Sequence, residues 1–514
     1  MVSESLNKIF RLLALAAVFS LTVACSDDIF DVPVGERITP DEHYRTLEDA
    51  VASLYGTLSG LQDVAPDLIL LDGLRSDQMD ITPNAGSDIA ALYNQEFNAD
   101  NRYLDYSGLY RVIINVNEVL ANIERAEEKD RDFKPNYLFD MRANLYGLRA
   151  WCYLNITRLY GVAVIIDDNL TSLPEDLSSM TPMSKADVID KLISQFNSDS
   201  VIYDQDTASV ARDQAYFPGF PNYKAVLGEL YLEKQDYENA IYYLKLGLES
   251  APAIAGDEAY KVDASYDEDA WESIFLNAEN AILENMLVIP YSINQKQVNT
   301  MVELMLPNRS FMVKPSQVLV DSMEAQITTR RDTADVYRGM GVTYDTISSG
   351  NYFIKKYDID DAQPFSSDIV LQRAGDVHLL LAEALNRNGQ SDVALMFLNN
   401  GISGVSLSKR PAGYSAFSKN RGIRNRVLLQ NREIPDSITG NERVERIEDL
   451  ILQEKAMECA FEGKRMSDLI RVAERRDNPG EYIGNIIAAK YDSSMAEYVK
   501  QFYMNKENWY LPFH

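Results

Sequence analysis

The chain has 514 residues with 49 Lys and Arg against 78 Asp and Glu, a formal net charge of −29 and a pI near 4.5. So acidic a surface repels nucleic acid and anionic lipid at long range, which excludes both as expected partners and leaves neutral ligands as the better fit. An apolar fraction of 46% over this length allows a large core, in one big domain or two intimate ones.

Lys8 and Arg11 precede an apolar run from Leu12 to Ala24, which stops at Cys25 and is followed by Ser26-Asp27-Asp28. A basic start, about a dozen apolar residues and a small residue before the break describe an export signal over residues 1–24, too short to span a bilayer. The pattern resembles a bacterial lipoprotein signal, with Thr22 where Leu is usual. That resemblance implies Cys25 as the lipidated first residue of the mature chain, where each buried CH₂ of an acyl chain adds about 0.8 kcal/mol of membrane affinity. The acidic residues after Cys25 resemble the surface-export signal of lipoproteins in some gram-negative bacteria. Removing residues 1–24 leaves 490 residues at a formal charge of −30. No later stretch reaches the ~18 apolar residues of a spanning helix. Cys152 and Cys459 each lie in an apolar helical pattern, so they are expected as buried thiols rather than as part of a disulfide framework. Whether they pair with each other depends on their Cα atoms lying within about 7 Å.

Residues 25–38 read as a tether. Thr39-Pro40-Asp41-Glu42 predicts a helix start, with Thr39 as cap and Glu42 closing a capping box. Leu47, Val51, Leu54, Tyr55 and Leu58 then give that helix one apolar face. Residues 63–100 lose this rhythm and hold Pro66, Gly73, Pro83 and Asn84-Ala85-Gly86, so they read as long functional loops. Helical spacing returns at about 103–127 and about 136–160, where Trp151 lies with Leu148, Leu154 and Ile156 as core.

A helix pair between Lys224 and Pro252 carries the clearest internal signal. Leu227-Gly228, Tyr231, Ala240, Leu244, Gly247 and Pro252 fall on the spacing of a tetratricopeptide unit, with Lys224 and Leu244 in place of the usual aromatics. Leu381-Ala382, Leu385, Ala394 and Leu398 repeat the interval and predict a second unit at about 375–406. Such hairpins stack by burying each other's apolar faces. From about 255 to 370 the texture changes to short β-type runs, Met286–Tyr291, Phe311-Met312-Val313 and Tyr352-Phe353-Ile354, separated by turn residues. The expected fold class is therefore mainly α, a tetratricopeptide-like helical repeat scaffold with an inserted loop-rich α/β ligand-binding lobe. Residues 407–442 read as polar loop, and a last helix pair spans about 443–474.

That last pair contains Phe461-Glu462-Gly463-Lys464-Arg465-Met466-Ser467-Asp468-Leu469-Ile470-Arg471. It closely resembles the C-terminal signature of the SusD/RagB family of outer-membrane nutrient-binding lipoproteins, "F-E-G-x-R-W-x-D-L-x-R". Lys455, Cys459 and Met466 depart from the family pattern. Arg373-Ala374-Gly375-Asp376 through Ala382-Glu383-Ala384 resembles its "R-x-A-E-x-x-L-x-x-A-E-A" helix. Arg149-Ala150-Trp151 through Tyr160-Gly161 and the closing Tyr510-Leu511-Pro512 match further segments in order, so the resemblance covers nearly the whole mature chain, 39–514, with the signature at about 443–514. Read from the residues alone, Gly463 permits a positive φ between two helices. Arg465 and Asp468, three apart, are expected to pair locally or to hold neighbouring loops, a structural role.

Bond chemistry finds little support in the sequence. His43, His378 and His514 are too scattered for a zinc site, and His378 reads as a packed core residue; no nucleophile elbow, phosphate loop or dinucleotide fingerprint occurs. With 78 acidic residues a carboxylate pair carries no signal. No cofactor is expected. Asp358-Ile359-Asp360-Asp361 and Asp167-Asp168-Asn169 offer oxygen ligands to calcium without the rest of an EF-hand loop, and solvated acidic loops are the default reading. Sugar rings lie flat on aromatic faces and need polar partners round their edges, so loop aromatics with neighbouring amides and charges are the informative residues. The 63–106 stretch offers Arg75, Asp77, Tyr93, Asn94 and Tyr103; the lobe offers Trp271, Tyr291 and Tyr352. The resemblance implies a surface-exposed, lipid-anchored subunit at the outer membrane that captures oligosaccharides for a TonB-dependent (SusC-like) transporter and is not an enzyme. A peptide-binding homologue, a lipid-anchored glycosidase and a repeat adaptor for other proteins are the alternatives.

Overall fold

The computed structural model describes residues 39–166, 180–198, 219–251, 259–263, 268–276, 278–348, 350–358 and 365–513. Cys25, the tether and Asp167-Asp168-Asn169 lie outside them. Helices dominate, and the named strands pair as two-stranded antiparallel ribbons. The Glu42 carboxylate accepts from the Thr39 amide at 2.9 Å, the acidic half of a capping box, and from the Thr39 hydroxyl at 2.8 Å, while the Glu42 amide donates to the Thr39 carbonyl at 2.9 Å. That first helix nevertheless ends at His43, and a second cap restarts it: Asp49 accepts from the Thr46 amide at 2.9 Å and Thr46 from the Asp49 amide at 3.2 Å, opening Leu47–Gly56. The two caps, Thr39 and Thr46, lie seven residues apart, and the apolar face from Leu47 onward belongs to the helix that the second one opens.

The expectation of loops over 63–100 is corrected. Leu61–Arg75 is a helix, and Leu68 to Arg75 are all buried, so a helix enclosed on every side shows no one-faced periodicity. Pro66 inside it removes the N–H that would bond Gln62 O. The hydroxyl of Tyr291 donates to that carbonyl instead, at 2.7 Å.

Ser107–Asn122 packs on Pro135–Tyr160, which packs on the hairpin Tyr223–Glu233 and Tyr237–Leu248; Ala374–Arg387 with Ser391–Leu398 follows, then Gly440–Glu458 and Arg465–Ala473. Both predicted repeat units are present. Gly247 is what lets the first hairpin close, because a Cβ there would lie 2.8 Å from Ala225 N. In the lobe, Asn285–Ile289 pairs with Ile369–Arg373, which zips the two ends of the inserted segment together, and Tyr344–Ser348 forms a hairpin with Asn351–Ile354. Cys152 and Cys459 are buried free thiols. His378 is buried between Ala374 O, which accepts from Nδ1 at 2.7 Å, and the Asn420 amide at 2.8 Å; burial pulls its pKa down to about 4.

At the signature run Gly463 has φ +70, and Asp72 caps the following helix from across the fold, accepting from the amides of Arg465 at 3.0 Å and Met466 at 2.7 Å. Arg465 and Asp468 do not pair with each other. Arg465 holds both oxygens of Asp77 at 2.8 Å, while Asp468 accepts from Lys455 at 2.9 Å and from Arg471 at 2.6 Å. These belong to a lattice of buried ions. Arg373 binds Glu462, Glu458 and Glu284 at 2.9, 2.8 and 3.0 Å; Arg338 binds Asp335, Glu454 and Glu458; Arg471 and Arg475 share Glu383.

Two stability tests follow from this packing. Gly247→Val should cost about 2 kcal/mol or more in urea unfolding, since overpacking against backbone cannot relax cheaply. Gly86→Ala should stay within ~0.5 kcal/mol, because its φ is −69 and nothing lies within 4 Å of its Cβ position. On acidification, Glu458 is held down to about 2 because Arg426, Arg373 and Arg338 outweigh its desolvation. A lowered carboxylate contributes stability that is complete above its ordinary value of 4.5 and is lost as pH falls towards 2. Asp72 and Asp368, raised to about 7 by burial, slope the other way between about 4 and 7 and are already protonated below that range. The melting temperature should therefore fall steeply below about pH 4.5, and Glu458→Gln should flatten that limb while lowering stability at neutral pH.

Candidate functional site

The two stretches that the sequence nominates for ligand contact meet along a ribbon. Met79–Ile81 runs antiparallel to Val313–Pro315, with Met79 opposite Pro315, Asp80 opposite Lys314 and Ile81 opposite Val313. The pairing continues past the strand, where Thr82 N donates to Met312 O at 3.0 Å and its hydroxyl to Phe311 O. Alternation turns Met79, Val313 and Pro315 into the interior and leaves Asp80, Lys314 and Met312 half-buried on the opposite face.

At one end of this ribbon the backbone is strained, since Phe311 has φ +45. Its ring is half-exposed and stands outside the main core cluster. Next to it the Arg309 guanidinium lies 4.8 Å over the half-buried ring of Phe365, with its Nε unpartnered and no ion pair among the described residues. The exposed Asn84 side chain spans to the same turn, donating to Ser310 O at 3.2 Å. The turn at 309–311 thus gathers the Phe311 ring, the Arg309 guanidinium over Phe365 and the Asn84 amide. At the other end Tyr93 donates to Asp80 at 3.4 Å and packs 4.8 Å from Tyr491. Lys490 lies under both rings and donates to Leu74 O at 2.7 Å and Met79 O at 3.0 Å; burial pulls it down to about 7. Flat apolar faces ringed by amide, guanidinium and carboxylate groups suit a polyhydroxylated ring. Asp80 faces Lys314 across the ribbon rather than a second carboxylate.

Tyr93 and Asn94 are the nominated residues that reach this surface; Asn94 is half-exposed and its amide closes the Ser87–Tyr93 helix on Ala90 O at 3.0 Å. The others are turned inward. Arg75 has no exposed surface and donates to Trp509 O at 2.6 Å, Asp77 is consumed by Arg465, and Tyr291 is spent on Gln62. Trp271 is fully buried between the guanidiniums of Arg373 and Arg426, 5.5 and 4.7 Å from its ring, so it is no platform in this structure. Tyr103 helps line a polar hollow of about 110 Å³ with Asp63, Asp67, Arg102 and Asp105, and Tyr352 packs edge-on against Tyr344. Sequence reasoning missed Arg309, Phe365, Lys490 and Tyr491. Phe311 was visible only as part of a β-type run, and Pro307-Asn308 marked the turn without showing what it presents. Among the described residues no group of three or more His, Cys, Asp and Glu could hold a metal ion, and no helix is long and apolar enough to cross a membrane.

A profile of the SusD family matches residues 258–513. This chain is a SusD/RagB family protein. A SusD-like protein of Formosa agariphila is 22% identical over 487 residues, 87% of this chain and 88% of that one. Among solved structures, a SusD superfamily protein from Bacteroides thetaiotaomicron superposes with a TM-score of 0.63 at 18% identity, covering 91% of this chain and 95% of its own. One from Bacteroides vulgatus gives 0.64 at 15%, with 90% and 95% covered. A laminarin-binding SusD-like protein gives 0.58 at 17%, with 88% and 96% covered. At these identities the structures speak to the SusD fold, the helical scaffold described above.

Proposed function

We propose that this SusD-like protein captures oligosaccharides at the cell surface, held there by lipid on Cys25, and passes them to a TonB-dependent outer-membrane transporter without altering them. Family membership supports this reading, as does the laminarin-binding relative of the same fold. The observation that carries the site is the cluster at the end of the ribbon: an unpaired guanidinium lying on Phe365, the half-exposed Phe311 and the Asn84 amide. A sugar ring stacks on the half-exposed Phe311 ring or on the part of Phe365 that Arg309 leaves open, and Arg309 and Asn84 take its hydroxyls. Loss of one stacking ring commonly costs on the order of 1 kcal/mol or more in such a contact.

The test is a screen of neutral oligosaccharides and peptides by calorimetry, followed by Phe365→Ala and Arg309→Gln. Each substitution should weaken oligosaccharide binding about fivefold or more while the protein stays folded by circular dichroism, with some loss of melting temperature in Phe365→Ala because that ring packs against the core. Unchanged affinity in both variants would remove the site; retention of peptides alone would replace the ligand class.

A further inference from the structure

A second concavity lies apart from the ribbon's aromatic end. The helix Gln317–Glu324 stands away from Gly440–Glu458 and Pro479–Ala488, leaving a cleft with a cavity volume of about 570 Å³, within the usual range of small-molecule sites. Its walls alternate in character. Leu319, Leu452 and Ile486 give apolar surface, while the Tyr482 ring, Gln453 and Ser322 give groups that meet hydroxyls.

Its charges are unequal in their availability. Asp77 is held by Arg465 through both oxygens, and Asp449 accepts from Arg476 at 2.7 Å and from the Tyr482 hydroxyl at 2.8 Å. Arg432 alone among the charged lining residues has no ion pair among the described residues. Its guanidinium donates to the Gln326 side-chain oxygen at 3.2 Å, which the Arg424 guanidinium also approaches at 3.1 Å. Glu454, a carboxylate acting on Arg432, is already engaged by Arg338 and Arg424. Arg432 is half-buried in the wall, so its charge is only partly screened by water. In a chain of net charge −29, a cleft cation that forms no ion pair among the described residues, the cleft's own Asp77 and Asp449 being held by Arg465 and Arg476, is the feature that would select an anion against the long-range field.

We propose that this cleft binds an oligosaccharide bearing a carboxylate, a uronic acid residue, with the carboxylate paired to Arg432 and the sugar faces laid along the apolar walls. The site is independent of the aromatic end of the ribbon, and the proposal stands whether or not neutral sugars bind there.

The test compares trigalacturonate with its methyl ester, which keeps the shape and removes the charge, by calorimetry at low and moderate salt. The acid should bind at least tenfold more tightly than the ester, and Arg432→Gln should abolish the difference. Ser322→Trp, which fills the cleft from an exposed helix position and leaves Arg432 in place, should block the acid as well, whereas Phe365→Ala should leave it unaffected. Equal binding of acid and ester would overturn the proposal. So would unchanged acid binding in both Arg432→Gln and Ser322→Trp, or loss of acid binding in Phe365→Ala, which would put the anion on the ribbon instead.

Discussion

A guanidinium buried away from water is costly unless carboxylates inside the protein pair with it, and Arg373 finds three of them on two different segments. That requirement fixes the architecture. Through Arg373, Arg338, Arg424 and Arg426 the helix Gly440–Glu458 is tied to the strand that closes the lobe, to the 335–338 turn and to the short helix Ile423–Arg426. Such a lattice is weak evidence for net stability, since apolar replacements of whole ion pairs are often neutral. Removing one partner alone costs about 3–5 kcal/mol, because the other is left charged and dry. The lattice therefore specifies one arrangement of scaffold and lobe more than it deepens the energy well.

The same constraint reaches the surface proposed to face the ligand. Asp72 caps the signature helix and Asp77 grips Arg465, while between the signature turn and the early segment Gln78 donates to Ala456 O at 2.9 Å and accepts from Phe461 N at 3.0 Å. The very next residue, Met79, enters the ribbon. A charged run near the C-terminus thus sets where residues 79–84 leave the core, and with them where Asn84 meets Ser310 and Phe311. Tyr160-Gly161 and Tyr510-Leu511-Pro512 behave alike: Leu511 N donates to Leu159 O at 2.8 Å, and Gly161, at φ +72, has no room for a Cβ beside the Tyr510 ring.

What the sequence revealed and what it hid divide along physical lines. Small residues at fixed intervals, Gly228, Ala240 and Gly247, announce helices that touch, and both repeat hairpins are where that spacing puts them. The helix Leu61–Arg75 was hidden because burial on all sides erases periodicity and because Pro66 reads as a breaker when its lost bond is made good by a tyrosine far away in sequence. Arg75, Asp77, Trp271 and Tyr291 have the side chains of a sugar site, yet each is claimed by a long-range partner that no local pattern encodes. Arg309 and Phe365 become a pair only once the lobe is folded. Tyr93 was legible as an aromatic in a stretch without helical rhythm, although it proves to end the short helix Ser87–Tyr93.

The central claim is that the lattice holds the early segment against the lobe so that Phe311, Phe365, Arg309 and Asn84 present one sugar-binding edge. The most direct measurement is a crystal structure of the protein with a bound neutral oligosaccharide taken from the screen. The account predicts a pyranose ring stacked on Phe365 or Phe311 with its hydroxyls on Arg309 and Asn84. A sugar seated instead in the hollow beside Asp67 and Arg102, with that edge bare, would contradict it.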